Sequence, residues 1–353
     1  MRSVLIAGAG LAGARCAETL RALGFDGRVV LVGNERIPPY ERPALSKDFL
    51  LGKRSTEDLL LRPRSFWAAQ SIELVLADGI VAARDGTATT ASGATFSYDA
   101  LVVATGARPR RLGDAPMDVH VLRSLADAEV LANALRRSRR LAIIGGGFVG
   151  AEVASSARAL GVDVVVIEAA EAPFGPLLGP DVADVLLRRY RACGVDVRTG
   201  VSVRRFVTDA GGHIAGTALT DGSDVECDVA LAAVGVEPAR ELADAASPRI
   251  HVCGDAAGGG HWTGAALDGA GAAHELLGLR RPALPPPYFW SDQFDLRIQL
   301  VGTTRGAATV DLDGHDDAFV ARYRGRDGAM LGALAVNRPA QIASLRRQLA
   351  LAA

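Results

Sequence analysis

The chain has 353 residues, of which 49% are hydrophobic and 22% charged. That is too much apolar content for a disordered chain, and at about 150 residues per domain the length predicts two to three domains. Lys and Arg number 39 against 40 Asp and Glu, a formal net charge of −1, which excludes a global field drawing the protein onto nucleic acid or an anionic membrane. The 40 glycines beside 5% aromatics indicate tight turns and close backbone approaches rather than a β-sandwich.

Two segments share one plan. The first reads as a strand over 4–7, a glycine turn Gly8-Ala9-Gly10-Leu11-Ala12-Gly13, a helix over 14–23 and a strand over 28–32. The second reads as a strand over 141–144, the turn Gly145-Gly146-Gly147-Phe148-Val149-Gly150, a helix over 151–160 and a strand over 163–167. Short β-branched runs predict buried parallel strands, and three- and four-residue apolar spacing predicts the helices. Met1-Arg2 ahead of the apolar stretch 4–14 also has the outline of a short signal peptide, but the duplicated plan favours a βαβ unit.

Further buried strands are expected over 101–107, over 229–234 leading into Gly235, and over 250–253 leading into Gly254-Asp255. The prolines within 282–287 mark a linker, because consecutive prolines fit neither a helix interior nor a central strand. Beyond them, strands over 295–301, 308–312, 318–323 and 329–335 predict an antiparallel meander, followed by a helix over 338–351. Cys16, Cys193, Cys227 and Cys253 form no C-x-x-C pair or zinc spacing, so they are read as reduced thiols of a cytoplasmic protein, with no metal site. No apolar run approaches the roughly 18 residues that span a bilayer.

In G-x-G-x-x-G the first glycine makes the corner, the second lets backbone approach a pyrophosphate, and the third packs helix on strand. The helix start then offers free N–H groups and a positive dipole end. Each copy also carries an acid after its next strand, Glu35 and Glu168, placed for ribose hydroxyls. A turn that serves packing alone, or an acid that is only a solvated strand end, is the plainer alternative at each place. A carboxylate at Glu168 repels a 2′-phosphate, so NADH is expected over NADPH. Two dinucleotide sites in one chain predict a flavin enzyme, one site holding FAD and the other exchanging NADH.

Several stretches resemble the flavoprotein ferredoxin reductases of oxygenase systems, the putidaredoxin reductase and rubredoxin reductase family. They are Tyr40-Glu41-Arg42-Pro43-Ala44-Leu45-Ser46-Lys47, Ala104-Thr105-Gly106-Ala107, Gly254-Asp255, His261-Trp262 and Phe289-Trp290-Ser291-Asp292-Gln293. The resemblance runs nearly end to end. It implies an α/β fold of two Rossmann-like domains, one for FAD (1–112 with 237–282) and one for NAD (113–236), plus a smaller C-terminal α+β domain (283–353). The FAD residues it implies are Gly8, Gly10, Leu11, Ala12, Gly13, Glu35, Arg42, Lys47, Thr105, Gly106, Arg110, Gly254, Asp255, His261, Trp262 and Trp290. The NAD residues are Gly145, Gly147, Phe148, Val149, Gly150, Glu152, Glu168 and Gly235.

On that reading Lys47 is a cation offsetting negative charge on the reduced flavin, and Glu152 holds the lysine and contacts the nicotinamide amide. Trp290 shields the flavin and lines the route by which electrons leave. An ordinary surface lysine, a first-turn dipole partner, a helix cap at Asp255 and aromatic packing are the corresponding structural alternatives. His261 is read as shaping the pocket, since hydride transfer needs no proton from it. The implied acceptor is a [2Fe-2S] ferredoxin-type protein or a rubredoxin, with no nucleic-acid or membrane partner and a monomeric or homodimeric state. Arg297, Arg305, Arg322, Arg324 and Arg326 offer either a basic docking face for an acidic partner or ordinary solvated faces.

One departure stands out. The family carries a strand pair with an R-T dipeptide before the G-D motif, whereas here 237–249 runs almost directly into Ile250, so on the order of a dozen residues or more are absent. Two other functions compete: a thiol-based disulfide or peroxide reductase, which needs a low-pKa cysteine missing from the Y-E-R-P stretch, and an NADH-responsive flavin-binding interaction protein.

Overall fold

The computed structural model describes residues 1–242 and 249–352. Residues 243–248, which fall in the connection read as shortened, lie outside the described residues. The chain divides into two compact units. Met1–Glu41, Ser55–Arg108 and Glu237–Pro285 form the first; Arg42–Arg54, Pro109–Val236 and Pro286–Ala353 form the second. Residues 42–54, expected with the FAD domain, group with the second unit because Leu50 is buried in its core beside Leu131 and Val153.

The first unit is built on a five-stranded parallel sheet, in spatial order Ile250–Val252, Ala100–Val103, Ser3–Ala7, Arg28–Val32 and Ile72–Val75. The apolar runs of the central strands are buried on both faces, Leu5, Val30, Leu101 and Val103 toward one core and Val4, Ile6, Val29 and Leu31 toward another. From Ser3–Ala7 the chain steps outward to Arg28–Val32 and Ile72–Val75 and then crosses to Ala100–Val103 on the other side. The strand order therefore reverses at the first strand, and the carboxyl end of such a strand is the usual place for a ligand in sheets of this kind. Helix Trp262–Leu276 crosses helix Leu11–Ala22 at Gly269, where an added Cβ would lie 2.1 Å from the Ala12 carbonyl oxygen.

The second unit repeats the scheme with four parallel strands in the order Val195–Thr199, Asp163–Glu168, Arg140–Ile144 and Val229–Ala232. It also carries the C-terminal five-stranded antiparallel sheet and helix Pro339–Ala352. Period-two alternation divides that sheet. Ile298, Leu300, Phe319, Ala321, Leu334 and Val336 join the core containing Val182 and Leu186. Val301, Val320, Ala333 and Ala335 face Ile342, Leu345 and Leu349 of the helix. At about 1.5–3 kcal/mol for each fully buried large aliphatic side chain, both faces contribute substantially.

Three expectations need correcting. The helices begin at Leu11 and Phe148, not at 14 and 151, because the middle glycine of each turn is itself the N-cap. A strand over Tyr288–Gln293 was not expected, since its polar Ser-Asp-Gln end hides the alternation. The C-terminal sheet is not a simple meander: its order is Tyr288–Gln293, Leu296–Gly302, Met330–Val336, Ala318–Arg324, Thr309–His315. Leu296–Gly302 pairs with the last strand, not the next, which puts the most apolar strand in the sheet's centre.

Candidate dinucleotide sites and the Lys47–Glu152 centre

The two glycine turns agree contact by contact. Gly8 has φ +118° and a Cβ there would lie 2.1 Å from the Ala104 carbonyl oxygen; Gly145 has φ +104° and meets the Ala233 carbonyl oxygen at 2.6 Å. A Cβ on Gly13 or Gly150 would strike the carbonyl oxygen of Gly8 or Gly145, at 2.0 and 2.2 Å. Around the middle glycines, Gly10 and Gly147, nothing lies within 4 Å of the Cβ position. Neither helix start has a side-chain cap, so first-turn N–H groups, including those of Leu11, Ala12 and Gly13 in the first unit and Phe148, Val149 and Gly150 in the second, face these openings. Packing accounts for the outer glycines and leaves the middle ones unexplained. A phosphate needs an opening lined by free N–H groups, so the residues present fit a dinucleotide at each turn.

The acids differ in their surroundings. Glu168 accepts the N–H of Gly146 at 2.7 Å on one oxygen and that of Ala170 at 2.8 Å on the other. It is thereby fixed beside the turn with acceptor capacity left for ribose hydroxyls. Glu35 accepts from the Tyr40 hydroxyl at 2.7 Å. Gly235, φ +96°, has open space around its Cβ position and accepts the N–H of exposed Arg110 at 3.0 Å.

In the first unit the A-T-G and G-D turns are built from their backs. Thr105 Oγ1 donates to the Ala239 carbonyl at 2.6 Å, and the Ala239 N–H reaches the Gly106 carbonyl at 2.9 Å. Arg240 Nε donates to the Ala256 carbonyl at 3.1 Å, and Leu242 is buried with Leu5 and Leu101. The described start of the short connection is thus tied to both turns. Asp255 lies inside the short helix Gly254–Ala257 and accepts the Gly260 N–H at 3.0 Å, so it does not cap that helix. Asp268 accepts the Gly254 N–H at 2.8 Å and is itself held by Arg281 at 2.9 Å. A Cβ on Gly271 would sit 2.2 Å from Arg281 Nε, so a larger residue there would displace the Arg281 side chain from this position. His261 precedes helix Trp262–Leu276, and Trp262 is its first residue.

In the second unit Lys47 Nζ lies 2.6 Å from Glu152 Oε1, with side chains 19% and 8% exposed. Ser46 Oγ donates to Glu152 Oε2 and Ser291 Oγ to Oε1, each at 2.5 Å. Three donors, from the Ser46-Lys47 segment and from Ser291, therefore meet on one buried carboxylate. Arg42 donates to the Arg123 carbonyl at 2.5 Å. Trp290 stacks on Tyr288, centroids 6.0 Å apart at 19°, on the strand face opposite Ser291. Phe148 packs against Phe174 and Phe289 at 4.7 and 4.3 Å, leaving Val149 exposed.

Ser46, Ser291, Asp268 and Arg281 are not among the site residues expected from the sequence. A hydroxyl or a carboxylate behind a motif carries no spacing of its own. Burial pushes the Cys227 thiol up to about 11 and the Cys253 thiol up to about 12, and Cys16 well above the usual range; these are the opposite of a reactive cysteine. Among the described residues no group of His, Cys, Asp and Glu is arranged to hold a metal, and no helix is long and apolar enough to cross a membrane. Arg322 and Arg324 pair with Asp313 and Asp311, which offsets the basic face proposed there.

Two glycine turns that fit a phosphate, on parallel sheets and with a buried lysine–glutamate pair beside one of them, are the features of an oxidoreductase of the two-dinucleotide class. Residues 2–265 match the pyridine nucleotide-disulphide oxidoreductase family and residues 288–353 the reductase C-terminal family. The chain belongs to the pyridine nucleotide-disulphide oxidoreductase family. It is similar to the ferredoxin–NAD(+) reductase component of the p-cumate 2,3-dioxygenase system of Pseudomonas putida, 36% identical over 377 residues and covering 98% of this chain and 92% of that one. A probable ferredoxin reductase of Castellaniella defragrans is 35% identical, with 97% and 92% covered. The reductase in the crystal structure of the covalent putidaredoxin reductase–putidaredoxin complex superposes with a TM-score of 0.94 at 30% identity, over 99% of this chain and 93% of that one. An alignment of 377 residues that takes in 98% of a 353-residue chain must set gaps in this chain.

Proposed function

We propose that the protein is an NADH:ferredoxin oxidoreductase, carrying electrons from NADH through FAD to a small iron–sulfur protein that feeds an oxygenase. The observation that carries this reading is the doubled phosphate cradle, in which the middle glycine of each turn opens onto free space. FAD, when bound, would supply a ring that accepts hydride from the nicotinamide C4 and returns the two electrons singly, which suits a two-electron donor and a one-electron acceptor.

The chain's own residues bind and orient. In the first unit the N–H groups following Gly10 receive the FAD pyrophosphate, Glu35 the adenosine ribose and Asp255 the ribityl hydroxyls, with Thr105, Gly106, His261 and Trp262 shaping the remaining walls. In the second unit the N–H groups following Gly147 receive the NADH pyrophosphate and Glu168 the adenosine ribose. Glu152 orients the nicotinamide through its amide and holds Lys47, whose charge favours the reduced ring. Trp290 excludes water along the exit route. The NADH preference rests on Glu168, a carboxylate that a 2′-phosphate would face. The relatives' names support a ferredoxin as acceptor, and we take its cluster to be [2Fe-2S], with a rubredoxin as the alternative. We assign a cytoplasmic location from the free thiols and the use of NADH, and a monomer or homodimer as the working state.

The test is the visible spectrum of the purified protein. It should be yellow, bleach on anaerobic addition of NADH, and reduce cytochrome c efficiently only when a ferredoxin is supplied. A colourless protein, or bleaching with no acceptor turnover, would sink the proposal.

A further inference from the structure

We infer that Ser291, Gln293 and Tyr190 form a one-way hydrogen-bonded relay that positions the Glu152 carboxylate for the nicotinamide; this rests on reading the second unit as the NADH site. Strand alternation puts Phe289, Ser291 and Gln293 on one face, with Ser291 0% and Gln293 1% exposed, and Glu152 and Tyr190 are 7% and 4% exposed. Ser291 Oγ donates to Glu152 Oε1 at 2.5 Å, Gln293 Nε2 donates to Ser291 Oγ at 2.8 Å, and the Tyr190 hydroxyl donates to Gln293 Oε1.

The direction of the relay follows from the chemistry of its end. An ionised carboxylate only accepts, so Ser291 spends its single proton on Glu152 and must itself accept. Gln293 therefore presents its amide nitrogen to Ser291 and its oxygen to Tyr190, and flipping the amide would break the bond to Ser291, whose proton is already committed. Burial pushes the Tyr190 phenol well above its ordinary range, so it stays a donor. Chains of this kind polarise each member in the same sense. The frame around it is equally fixed, because the Phe294 N–H donates to Ser155 Oγ at 2.6 Å, tying the end of the strand to the helix that carries Glu152.

The count of acceptor sites then says what the relay is for. A carboxylate accepts about four hydrogen bonds. Oε1 takes Lys47 and Ser291, and Oε2 takes Ser46. One direction on Oε2 is left, and it is the acceptor offered to the carboxamide N–H of the nicotinamide. Ser291, Gln293 and Tyr190 are positioning residues: they hold the carboxylate so that this direction points one way.

The experiment uses the FAD-loaded protein and three variants, Ser291→Ala, Ser291→Thr and Tyr190→Phe. NAD(+) affinity is measured by calorimetry, bleaching by NADH in a stopped flow, and FAD content from the absorbance ratio. Ser291→Ala should weaken NAD(+) binding and slow bleaching by about tenfold. Tyr190→Phe should do so in the same direction by a few-fold, and Ser291→Thr, which keeps the hydroxyl, should stay within about twofold of the parent, all with FAD content unchanged. Variants that melt earlier yet bind NAD(+) and bleach like the parent would show a packing role and overturn the relay. If Ser291→Ala does not fold, Tyr190→Phe decides by the same readouts. A parent protein that neither binds NAD(+) nor bleaches would overturn the functional reading as well, whereas a competent parent with indifferent variants overturns the relay alone.

Discussion

Lys47 and Glu152 come from separate stretches of the second unit, yet the ammonium nitrogen lies 2.6 Å from the carboxylate oxygen with both side chains mostly buried. Charges removed from water in this way depend on each other, and deleting one partner leaves the other uncompensated. Glu152→Gln keeps the shape and removes the charge. We expect a loss of roughly 3–5 kcal/mol of stability, read as a lower melting temperature, and flavin reduction by NADH slowed by about tenfold or more. Lys47→Ala should slow flavin reduction more than it weakens NADH binding; the reverse would make Lys47 a binding residue.

The glycine turns separate folding from binding within a few residues. Gly145→Ala places a side chain at φ +104° and 2.6 Å from a carbonyl oxygen, so it should cost at least about 1–2 kcal/mol and lower the melting temperature. Gly147→Ala meets open space and should leave the melting temperature near that of the parent while raising KM for NADH about tenfold. Equal effects of the two substitutions on stability would remove the case for a phosphate at Gly147. Gly8 and Gly10 should divide in the same way, with FAD retention as the readout.

Glu168 is held by two backbone N–H groups beside the second turn. Glu168→Arg exchanges a carboxylate that repels a 2′-phosphate for a group that attracts one. The ratio of kcat/KM for NADH over NADPH should fall by about tenfold or more. An unchanged ratio would show that Glu168 is not the ribose acid.

The Gly254-Asp255 turn depends on residues behind it. Asp268→Ala removes the acceptor of the Gly254 N–H and one partner of Arg281, a loss of about 1–3 kcal/mol for the buried N–H left unsatisfied. Protein purified with this substitution should carry less FAD per chain, measured from the ratio of visible to ultraviolet absorbance. Full FAD content would mean that Asp255 does not need this support.

The thiols give a pH prediction. Burial favours the neutral form of Cys227 and Cys253, raised to about 11 and about 12, so between the ordinary thiol range and those values the unfolded chain binds fewer protons than the folded one. Stability should therefore be flat to about pH 9 and fall as pH rises further, visible as a declining melting temperature between pH 9 and 11. In the native protein at pH 8 a thiol reagent should reach half-buried Cys193 alone of the four, and alkylation should leave NADH oxidation intact.

Much of the scaffold was legible in the sequence because its signals are local. Strand Arg28–Val32 has the bounds that its apolar run predicts, and both glycine turns are where their spacing puts them. The helix starts were misplaced by three residues because a backbone cap carries no side-chain signal. Strand Tyr288–Gln293 was missed because Ser291 and Gln293 are buried polar residues, and only their partners, Glu152 and Tyr190, make them look like an inward face.

By itself, then, the sequence determined the doubled strand–turn–helix plan, the acids that follow it and the residue types at the centre, since each is written in spacing over a few residues. Tertiary structure alone decided the rest. It brought residues 42–54 to Glu152, made Leu296–Gly302 pair with Met330–Val336, and set Asp268 and Arg281 behind Gly254. The reason is physical: a buried charge or N–H must find a partner wherever the fold supplies one, and neither sequence separation nor local periodicity specifies which residue that will be.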